Sequence, residues 1–426
     1  MSSQLKEADL AYEADQINKA ENLYQVVAFD SKDSTVQDKE ASVGKLAAIY
    51  VKANKVQDLY ELVSKSRDLF SKVSKAKVGK ILKDLIDKFS AIPVYGTEVQ
   101  SLEKKAIDES IEWAITEKKS FLRQSLQLKM ASVYYRRKSY PDCLKIINNL
   151  LREFKKLDDK SSLIEVQLLE SKVYFELRNY AKSKASLTSA KTSANSVYTS
   201  SKVQAELDLM SGILHCEDGD YETAFSYFYE SFESFNNSND YESSIKLLKY
   251  MILTKIMLDK PDEITQLLNN KSIVNNITKN RKYKSSEFEP MKLISKSYEN
   301  KSLNEFQQVL IKYNNELSSD LIIKSHFKIL YNNLLEQNLL KIIKPYSVVE
   351  ISYISQQIKL DSKLIESKLS QMILDGVFYG VLDQGNGWLY IYDEPKKDPN
   401  YDHGLSLVQE MNTVVDLLYE KASSLN

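Results

Sequence analysis

The sequence predicts a mainly α-helical protein, in which a superhelix of tetratricopeptide-like helix pairs precedes a small domain with strands and a final helix. Three observations lead to this prediction. The 426 residues include only 10 glycines and 7 prolines, a composition that favours helices over sheets. One pattern of small and aromatic residues recurs as far as about residue 320. Beyond that point, β-branched and glycine-rich stretches replace it.

The recurring unit opens with a small residue, most clearly at Ala131, Ser171 and Gly212. A small residue lets the next helix approach closely, and an aromatic residue one turn later fills the groove between the helices. Because one helix pair cannot bury its apolar face alone, neighbouring pairs are expected to stack into a superhelix. The unit resembles the tetratricopeptide repeat, with a period longer than that repeat's length of about 34 residues.

Six copies of the unit are visible in the sequence, five along the first part of the chain and one weaker copy further on. They comprise Ala8, Ala11, Ile17, Ala20 and Tyr24; Ala47, Tyr50, Val56, Leu59 and Val63; Ala131, Tyr134, Tyr140, Cys143 and Ile147; Ser171, Tyr174, Tyr180, Ser183 and Leu187; Gly212, His215, Tyr221, Ala224 and Phe228; and, in the weaker copy, Ser295, Tyr298, Asn304, Gln307 and Ile311. Most tyrosines are therefore expected to pack between helices.

Charge and composition exclude several classes of function. The 58 basic and 59 acidic residues nearly cancel, so no global field favours nucleic acid or an anionic membrane. No apolar run approaches about 18 residues, the length a membrane span needs. The N-terminus is acidic and polar, unlike a signal peptide. Cys143 and Cys216 are isolated in apolar helical segments, and we expect both to be buried, reduced thiols. The expected location is therefore the cytoplasm and the nucleus.

The segment after residue 320 predicts a different module. KPYSVVEI (344–351) indicates a short strand, and Ser352 and Asp361 are expected to cap the two helices that follow. Leu364, Ile365, Leu369, Met372 and Ile373 make one apolar face of the second of these helices, and Gly376 ends it. Strand, helix, helix and hairpin is the order of a winged helix.

The stretch FYGVLDQGNGWLYIY (378–392) predicts the hairpin of this module. A phosphate-binding glycine loop needs its glycines between a strand and the start of a helix, and here a helix precedes and strands follow. Trp388, Tyr390 and Tyr392 alternate with Leu389 and Ile391, which assigns them to opposite faces of a strand. The module carries no cluster of basic residues, which argues against DNA binding.

A helical-repeat array that runs into a winged helix is the architecture of the PCI domain, which the proteasome lid, the COP9 signalosome and a translation initiation factor share. Three blocks strengthen the likeness: LLREFKKLDDKSSLIEVQLLESKVY (150–174), AELDLMSGILHCEDGDYETAFSYF (205–228) and KLSQMILDGVFYGVLDQGNGWLYIY (368–392). Through them the chain resembles a PCI-domain subunit of the proteasome regulatory-particle lid. A PCI subunit of the COP9 signalosome shares the architecture and is the nearest alternative.

The resemblance implies a non-catalytic scaffold. It implies a repeat superhelix over 1–320, with its last pairs from about 225 inside the PCI domain, a winged-helix part over 321–395 and a C-terminal assembly helix over 401–426. In that family the N-terminal superhelix reaches an α-ring subunit of the core particle and an ATPase subunit. The winged helices of several lid subunits pair through their hairpin edges, and the C-terminal helices gather into a bundle. No cofactor is implied.

Three groups of residues are candidates for these contacts. An open hairpin edge suits strand addition by a partner, and the tail repeats apolar residues at two heptad positions. The tail has to dock either on its own domain or on partner helices, and the resemblance favours partners. The third group is a lysine run, which either meets an acidic surface or is simply a solvated helix face. The candidates are Phe378, Val381, Leu389 and Ile391 for the hairpin edge; Val408, Met411, Val415, Leu418, Ala422 and Leu425 for the C-terminal helix; and Lys72, Lys75, Lys80 and Lys83 for the basic face, to which Lys77 and Lys88 also contribute.

An enzyme is not expected from the residue inventory. The chain has three histidines, far apart in sequence, and no His-x-His motif for a metallopeptidase. His215 occupies a repeat packing position and is expected in the core. Cys216 beside it could only form a nucleophile pair if the two faced each other, but adjacent helical residues point about 100° apart. A peptide-binding adaptor that uses the concave side of the superhelix remains an open alternative.

Overall fold

The computed structural model describes most of the chain, in segments, and confirms the predicted fold class. The segments are 7–11, 17–30, 36–69, 75–90, 97–238, 240–260, 263–264, 267, 289–313, 320–358, 360–393 and 399–424. The chain divides into two compact units, Met1–Leu247 and Leu248–Asn426. The domain boundaries expected at 320 and 395 stay a prediction.

The first unit consists of helices. In chain order they are α1 (Ile17–Gln25), which continues as a π-helical segment (Val26–Asp30), α2 (Val36–Lys52), α3 (Val56–Leu69), α4 (Lys75–Ser90), α5 (Thr97–Thr116), α6 (Ser120–Arg136), α7 (Tyr140–Leu157), α8 (Lys160–Glu176), α9 (Tyr180–Asn195), α10 (Ser201–Glu217) and α11 (Tyr221–Asn237). A twelfth helix, α12 (Tyr241–Met257), crosses the division between the units.

The predicted small residues lie where paired helices touch. In α6 and α7, the Cys143 thiol donates to the Ala131 carbonyl oxygen at 3.2 Å. In α8 and α9, Ser171 and Ser183 each donate to the other's carbonyl oxygen, at 3.0 and 2.9 Å. In α10, a Cβ added at Gly212 would lie only 2.6 Å from the Phe228 ring of α11. Close approach at one fixed position therefore recurs in three consecutive pairs, through three different side-chain chemistries.

The turns within these pairs share one backbone conformation. The second residue before each second helix has a positive φ: 59° at Lys138, 57° at Arg178 and 83° at Gly219. The amide of the following residue closes the turn on the preceding helix, as where Ser139 N donates to Tyr134 O at 3.0 Å. The same turn recurs at Asp259 and Lys301, again at intervals of about forty residues. The repeat thus extends beyond the clear copies in the sequence.

The weaker sequence copy is one residue out of register. Its predicted last core position, Ile311, is 79% exposed. The turn at Lys301 aligns Ile294 with the small residue of the other units, and it makes Phe306 the core position of the second helix. Both are fully buried. The mistake arose because Tyr298 imitates the aromatic position of the pattern while standing one residue past it.

The second unit contains the remaining helices and one sheet. After α12 come α13 (Glu289–Glu299), α14 (Leu303–Lys312), α15 (Leu321–Ile343), β1 (Val348–Glu350), α16 (Ile351–Ile358), α17 (Ser362–Leu374), β2 (Tyr379–Asp383), β3 (Trp388–Tyr392) and α18 (Pro399–Ser423). The sheet is antiparallel with the order β1-β3-β2. This confirms the predicted succession of strand, helix, helix and hairpin.

Two of the predicted caps are wrong in detail. Helix α16 begins at Ile351, so Ser352 lies inside its first turn. The amide of Ile351, the first residue of the helix, donates to the Gly387 carbonyl oxygen at 2.9 Å. Asp361 is at the N-cap of α17, but its side chain accepts no capping hydrogen bond. Gly376, with φ of 70°, follows the end of α17 as predicted.

The apolar face predicted for α17 is correct at its centre and wrong at its first residue. Ile365, Leu369 and Met372 are fully buried, whereas Leu364 is 61% exposed. Leu364 lies one residue, or about 100° around the helix, from Ile365 and therefore falls outside the buried stripe.

The contact at Gly212 gives a direct test of the repeat. Gly212→Ala should lower the free energy of unfolding by about 1–3 kcal/mol, because the added Cβ collides with the Phe228 ring. Gly44→Ala in α2 is the matched control, since a Cβ there meets nothing within 4 Å and alanine favours a helix by up to about 1 kcal/mol. Urea denaturation followed by circular dichroism measures both. Equal stability of the two variants would contradict the close approach.

Candidate functional site

The sheet of the second unit has an outer face made of large apolar side chains. Residues directly opposite each other in antiparallel strands point to the same face. The outer face consists of three rows: Glu350, Trp388 and Asp383; Val348, Tyr390 and Val381; Tyr392 and Tyr379. Five of these side chains are strongly exposed: Trp388 (44%), Val348 (44%), Val381 (53%), Tyr392 (57%) and Tyr379 (43%).

The opposite face of the sheet is the core of the winged helix. Leu389 and Val349 lie opposite each other on this face and are buried, with 0% and 5% exposure. The sequence prediction that Trp388, Tyr390 and Tyr392 share one face is therefore confirmed. Because aromatic residues stand where a domain with one covered face usually has polar ones, the outer face is an apolar patch of the kind that binds a partner.

The predicted hairpin-edge residues are only partly at an edge. Strand β3 pairs with β1 on one side and with β2 on the other. Leu389 and Ile391 therefore belong to the central strand, and their assignment to the edge is wrong. The sequence did not show that the short strand β1 would pair with the second strand of the hairpin. Val381 does lie on an outer strand, β2, and Phe378 directly precedes that strand.

Helix α18 is exposed along its whole length. Every residue from Tyr401 to Ser424 is exposed, including Val408 (58%), Met411 (60%) and Val415 (59%). Ala422 is also exposed and Leu418 is 62% exposed. Leu425 lies outside the described residues. Within the described part of the chain, the predicted heptad seam has no cover.

The apolar surface of α18 is wider than the predicted seam. Leu407 and Val414, each one position before a seam residue, are 59% and 55% exposed. They add a third column beside the two heptad positions. A strict two-column seam is typical of a two-stranded coiled coil, and a third column is typical of a helix inside a bundle. The predicted seam leaves out this column because it includes only two of the seven heptad positions.

The predicted basic face is not a uniform solvated surface. Lys72 and the side chains of Lys75, Lys77 and Lys80 lie outside the described residues. Lys83 is half-buried, and its charge acts on Glu165 of α8. The Lys88 amine donates to the Gly44 carbonyl oxygen, and burial lowers its pKa. These two lysines therefore face neighbouring helices.

A groove of about 500 Å³ crosses the first helices of three repeat pairs, α6, α8 and α10. Leu128, Leu169 and Val203 contribute apolar surface to it. Lys172 forms an ion pair with Glu206 at 2.7 Å across the groove. Burial raises the pKa of the Glu165 carboxyl, against the opposing effect of Lys83 and Lys129. This is the surface that a peptide-binding adaptor would use.

The residues considered for catalysis are not arranged as a catalytic pair. His215 was expected in the core, but its side chain is 39% exposed and its ring stacks on Tyr227 with centroids 5.4 Å apart. Cys216 is buried. The helix thus turns the two adjacent side chains to different environments, as their spacing predicts.

Of the two basic residues of α17, Lys363 is exposed and Lys368 is not free for a phosphate backbone. Lys368 forms an ion pair with Glu336 at 2.6 Å, and its side chain is only 12% exposed. The Asp383 carboxylate accepts hydrogen bonds in the hairpin turn from Asn386 and from the Gly385 amide, and these bonds lower its pKa.

Among the helices of the described segments, none is both long and apolar enough to cross a bilayer.

The fold and these exposed surfaces define a PCI-type subunit, and comparison with known families agrees. The PCI domain model matches residues 306–393. The model of the N-terminal domain of 26S proteasome regulatory subunit RPN6 matches residues 1–137, and the model of the RPN6 C-terminal helix domain matches residues 397–423. The last match coincides with α18.

Whole-chain relatives point the same way. The chain is 49% identical to the 26S proteasome regulatory subunit RPN6 of Saccharomyces cerevisiae, over 99% of both chains. It is 47% identical to the probable 26S proteasome regulatory subunit rpn6 of Schizosaccharomyces pombe, again over 99% of both. It is 40% identical to the 26S proteasome non-ATPase regulatory subunit 11 of Dictyostelium discoideum, over 91% of both. The chain belongs to the RPN6 family of 26S proteasome regulatory subunits.

The two cysteines give a test of the packed repeats. Burial raises the pKa of the Cys143 thiol to about 11 and that of Cys216 to about 12. Because the thiolate is the reactive form, neither should react with an aromatic disulfide reagent at pH 8 in the folded protein. Both should react within seconds in guanidinium. Rapid labelling of the folded chain would contradict the buried positions.

Proposed function

We propose that this chain is a non-catalytic scaffold subunit of the proteasome lid, which braces the lid, the ATPase ring and the core particle and is needed for their assembly. The observation that carries the proposal is the uncovered apolar surface of α18. A helix with three apolar columns is stable in water only when other helices cover it. Membership of the RPN6 family favours a place in the lid over a place in a signalosome-type complex.

Each part of the chain has a proposed partner. Helix α18 joins the helical bundle of the lid, and its three columns suit contact with more than one helix. The winged helix, expected within 321–395, binds other PCI subunits through the free edge of β2. The N-terminal superhelix contacts an α-ring subunit of the core particle and an ATPase subunit. In this role the chain works in the cytoplasm and the nucleus, as part of particles that degrade ubiquitinated proteins.

The groove on α6, α8 and α10 supports a second candidate function, that of a peptide-binding adaptor. Its volume of about 500 Å³ is in the range of sites that bind small ligands or short segments. Co-purification from cells separates the two functions. A scaffold travels with stoichiometric lid subunits, whereas an adaptor would be recovered as a free chain with client peptides.

Charges on the apolar face of α18 test the scaffold function. Val415→Asp combined with Leu418→Asp should reduce incorporation into the lid by more than about tenfold, because two carboxylates would have to be buried in the bundle. Affinity purification of the lid, followed by quantification of this chain, measures the effect.

The matched control places the same two charges on the polar face of α18, as Gln409→Asp with Thr413→Asp. It should assemble normally, and both variants should keep the helical circular dichroism of the parent. Normal incorporation of the variant with Val415→Asp and Leu418→Asp would contradict the proposed role of α18.

The free edge of β2 has its own test. Val381→Lys should weaken association with neighbouring PCI subunits, because a lysine on an edge strand opposes the addition of another strand. The folded domain should tolerate it, since Val381 is 53% exposed. Gln384→Lys at the exposed tip of the hairpin adds the same charge off the strand and serves as the control. If both variants bind the isolated neighbouring subunits like the parent, the edge is not the contact.

A further inference from the structure

One row of the outer face combines an aromatic ring with two carboxylates. Trp388 stands on the central strand, with Glu350 directly opposite on β1 and Asp383 directly opposite on β2. Directly opposed side chains have Cβ atoms about 4.5–5.5 Å apart. The exposed indole ring is therefore flanked by one carboxylate on each side.

The two carboxylates differ in how far they are already engaged. Asp383 accepts hydrogen bonds from the turn, at 3.0 Å from the Gly385 amide and at 3.0 Å from the Asn386 side chain. Glu350 is exposed and forms no ion pair with any residue in the described ranges. Glu350 is therefore the carboxylate with free hydrogen-bonding capacity, and Asp383 adds a fixed negative charge.

The other tryptophan of the chain shows what this row lacks. The Lys119 amine lies 4.0 Å from the centroid of the Trp113 ring, in a cation–π contact between a buried lysine and a half-buried tryptophan. No described lysine or arginine lies over Trp388 in this way, although carboxylates flank it. A cation over Trp388 would satisfy both the negative face of the ring and the Glu350 carboxylate.

We propose that the outer face binds an extended segment of another protein, which presents an arginine side chain to Trp388 between Glu350 and Asp383. Tyr390 and Val381, in the next row, then contact apolar side chains of the same segment. Arginine fits better than lysine because its planar guanidinium stacks on an aromatic ring and still reaches a carboxylate with two hydrogen bonds. Tryptophan, tyrosine and arginine are also the residues that dominate the energy of protein interfaces.

Charge selects against the other candidate occupants. A nucleic acid would bring phosphates to a row that already carries two carboxylates. The chain's own helix α18 has the apolar surface to cover a sheet, but among its described residues Asp402, Glu410, Asp416 and Glu420 outweigh Lys421. A partner with an exposed arginine has the complementary charge.

This inference deepens the proposed function, because it names the chemistry of a partner for the winged helix. It concerns the face of the sheet, whereas lateral pairing uses the backbone edge of β2. The test below uses the isolated full-length chain. Its failure would overturn the arginine site and leave the scaffold function, which rests on incorporation into the lid, untouched.

The probe is a fluorescein-labelled, amidated peptide, Gly-Leu-Arg-Leu-Arg-Leu, whose binding to the full-length chain is followed by fluorescence anisotropy. We expect saturable binding. The same peptide with citrulline, which keeps the shape of arginine without its charge, should bind at least about tenfold more weakly. A citrulline or lysine peptide that binds as tightly as the arginine peptide would overturn the assignment, as would the absence of saturable binding.

Variants of the protein locate the site. Glu350→Gln and Trp388→Leu should each weaken binding of the arginine peptide by about tenfold. Both side chains are exposed, so the fold should persist by circular dichroism. Glu366→Gln on α17 removes a carboxylate that does not belong to the Trp388 row and should bind like the parent. Unchanged binding by both Glu350→Gln and Trp388→Leu would show that the peptide does not use this row.

Discussion

The distance between paired helices at one crossing point governs the architecture of the first unit. At that point a bulky side chain would separate the helices, so the chain has alanine, serine or glycine there. The backbones then come close enough for the Cys143 thiol to reach the Ala131 carbonyl and for two serines to bond each other's backbone. At Gly212 the ring of Phe228 occupies the space that a Cβ would need. Because the pairs share this spacing, their faces match those of their neighbours and the stack can continue.

The sequence predicted this level of structure well because it depends on local pattern. Spacing identified the small residues, the start of the second helices and the order of the winged helix. The sequence pattern failed where the backbone conformation of a residue does not follow from its residue type. The turns that define the repeat have left-handed residues that are mostly not glycine, such as Lys138 and Arg178, so no glycine marks them. In the weaker copy, Tyr298 imitated the aromatic position one residue too late, and no glycine at Lys301 marked the true turn.

The candidate surfaces were predicted less completely, since they depend on which elements pair. Alternation showed that Trp388 and Leu389 point to opposite faces, but only the pairing of β1 with β3 made the latter a core residue of a central strand. The same pairing brings Glu350 to Trp388 across about forty residues of chain, a contact that no local pattern predicts. For the lysine run, the sequence predicted an exposed surface that the structure shows to be partly buried. A charged face was expected, and Lys88 proved to be half-buried against a backbone carbonyl.

The repetition of one turn and one crossing has a mechanical consequence. The main contacts of the described helices of the first unit are with the next helix or the one after it. A displacement imposed on one end is therefore divided among many similar interfaces, each of which moves a little. We expect such an array to bend elastically under load, because each repeat interacts mainly with its neighbours. In the proposed scaffold role, that compliance would let the repeats keep their contacts while neighbouring subunits change position.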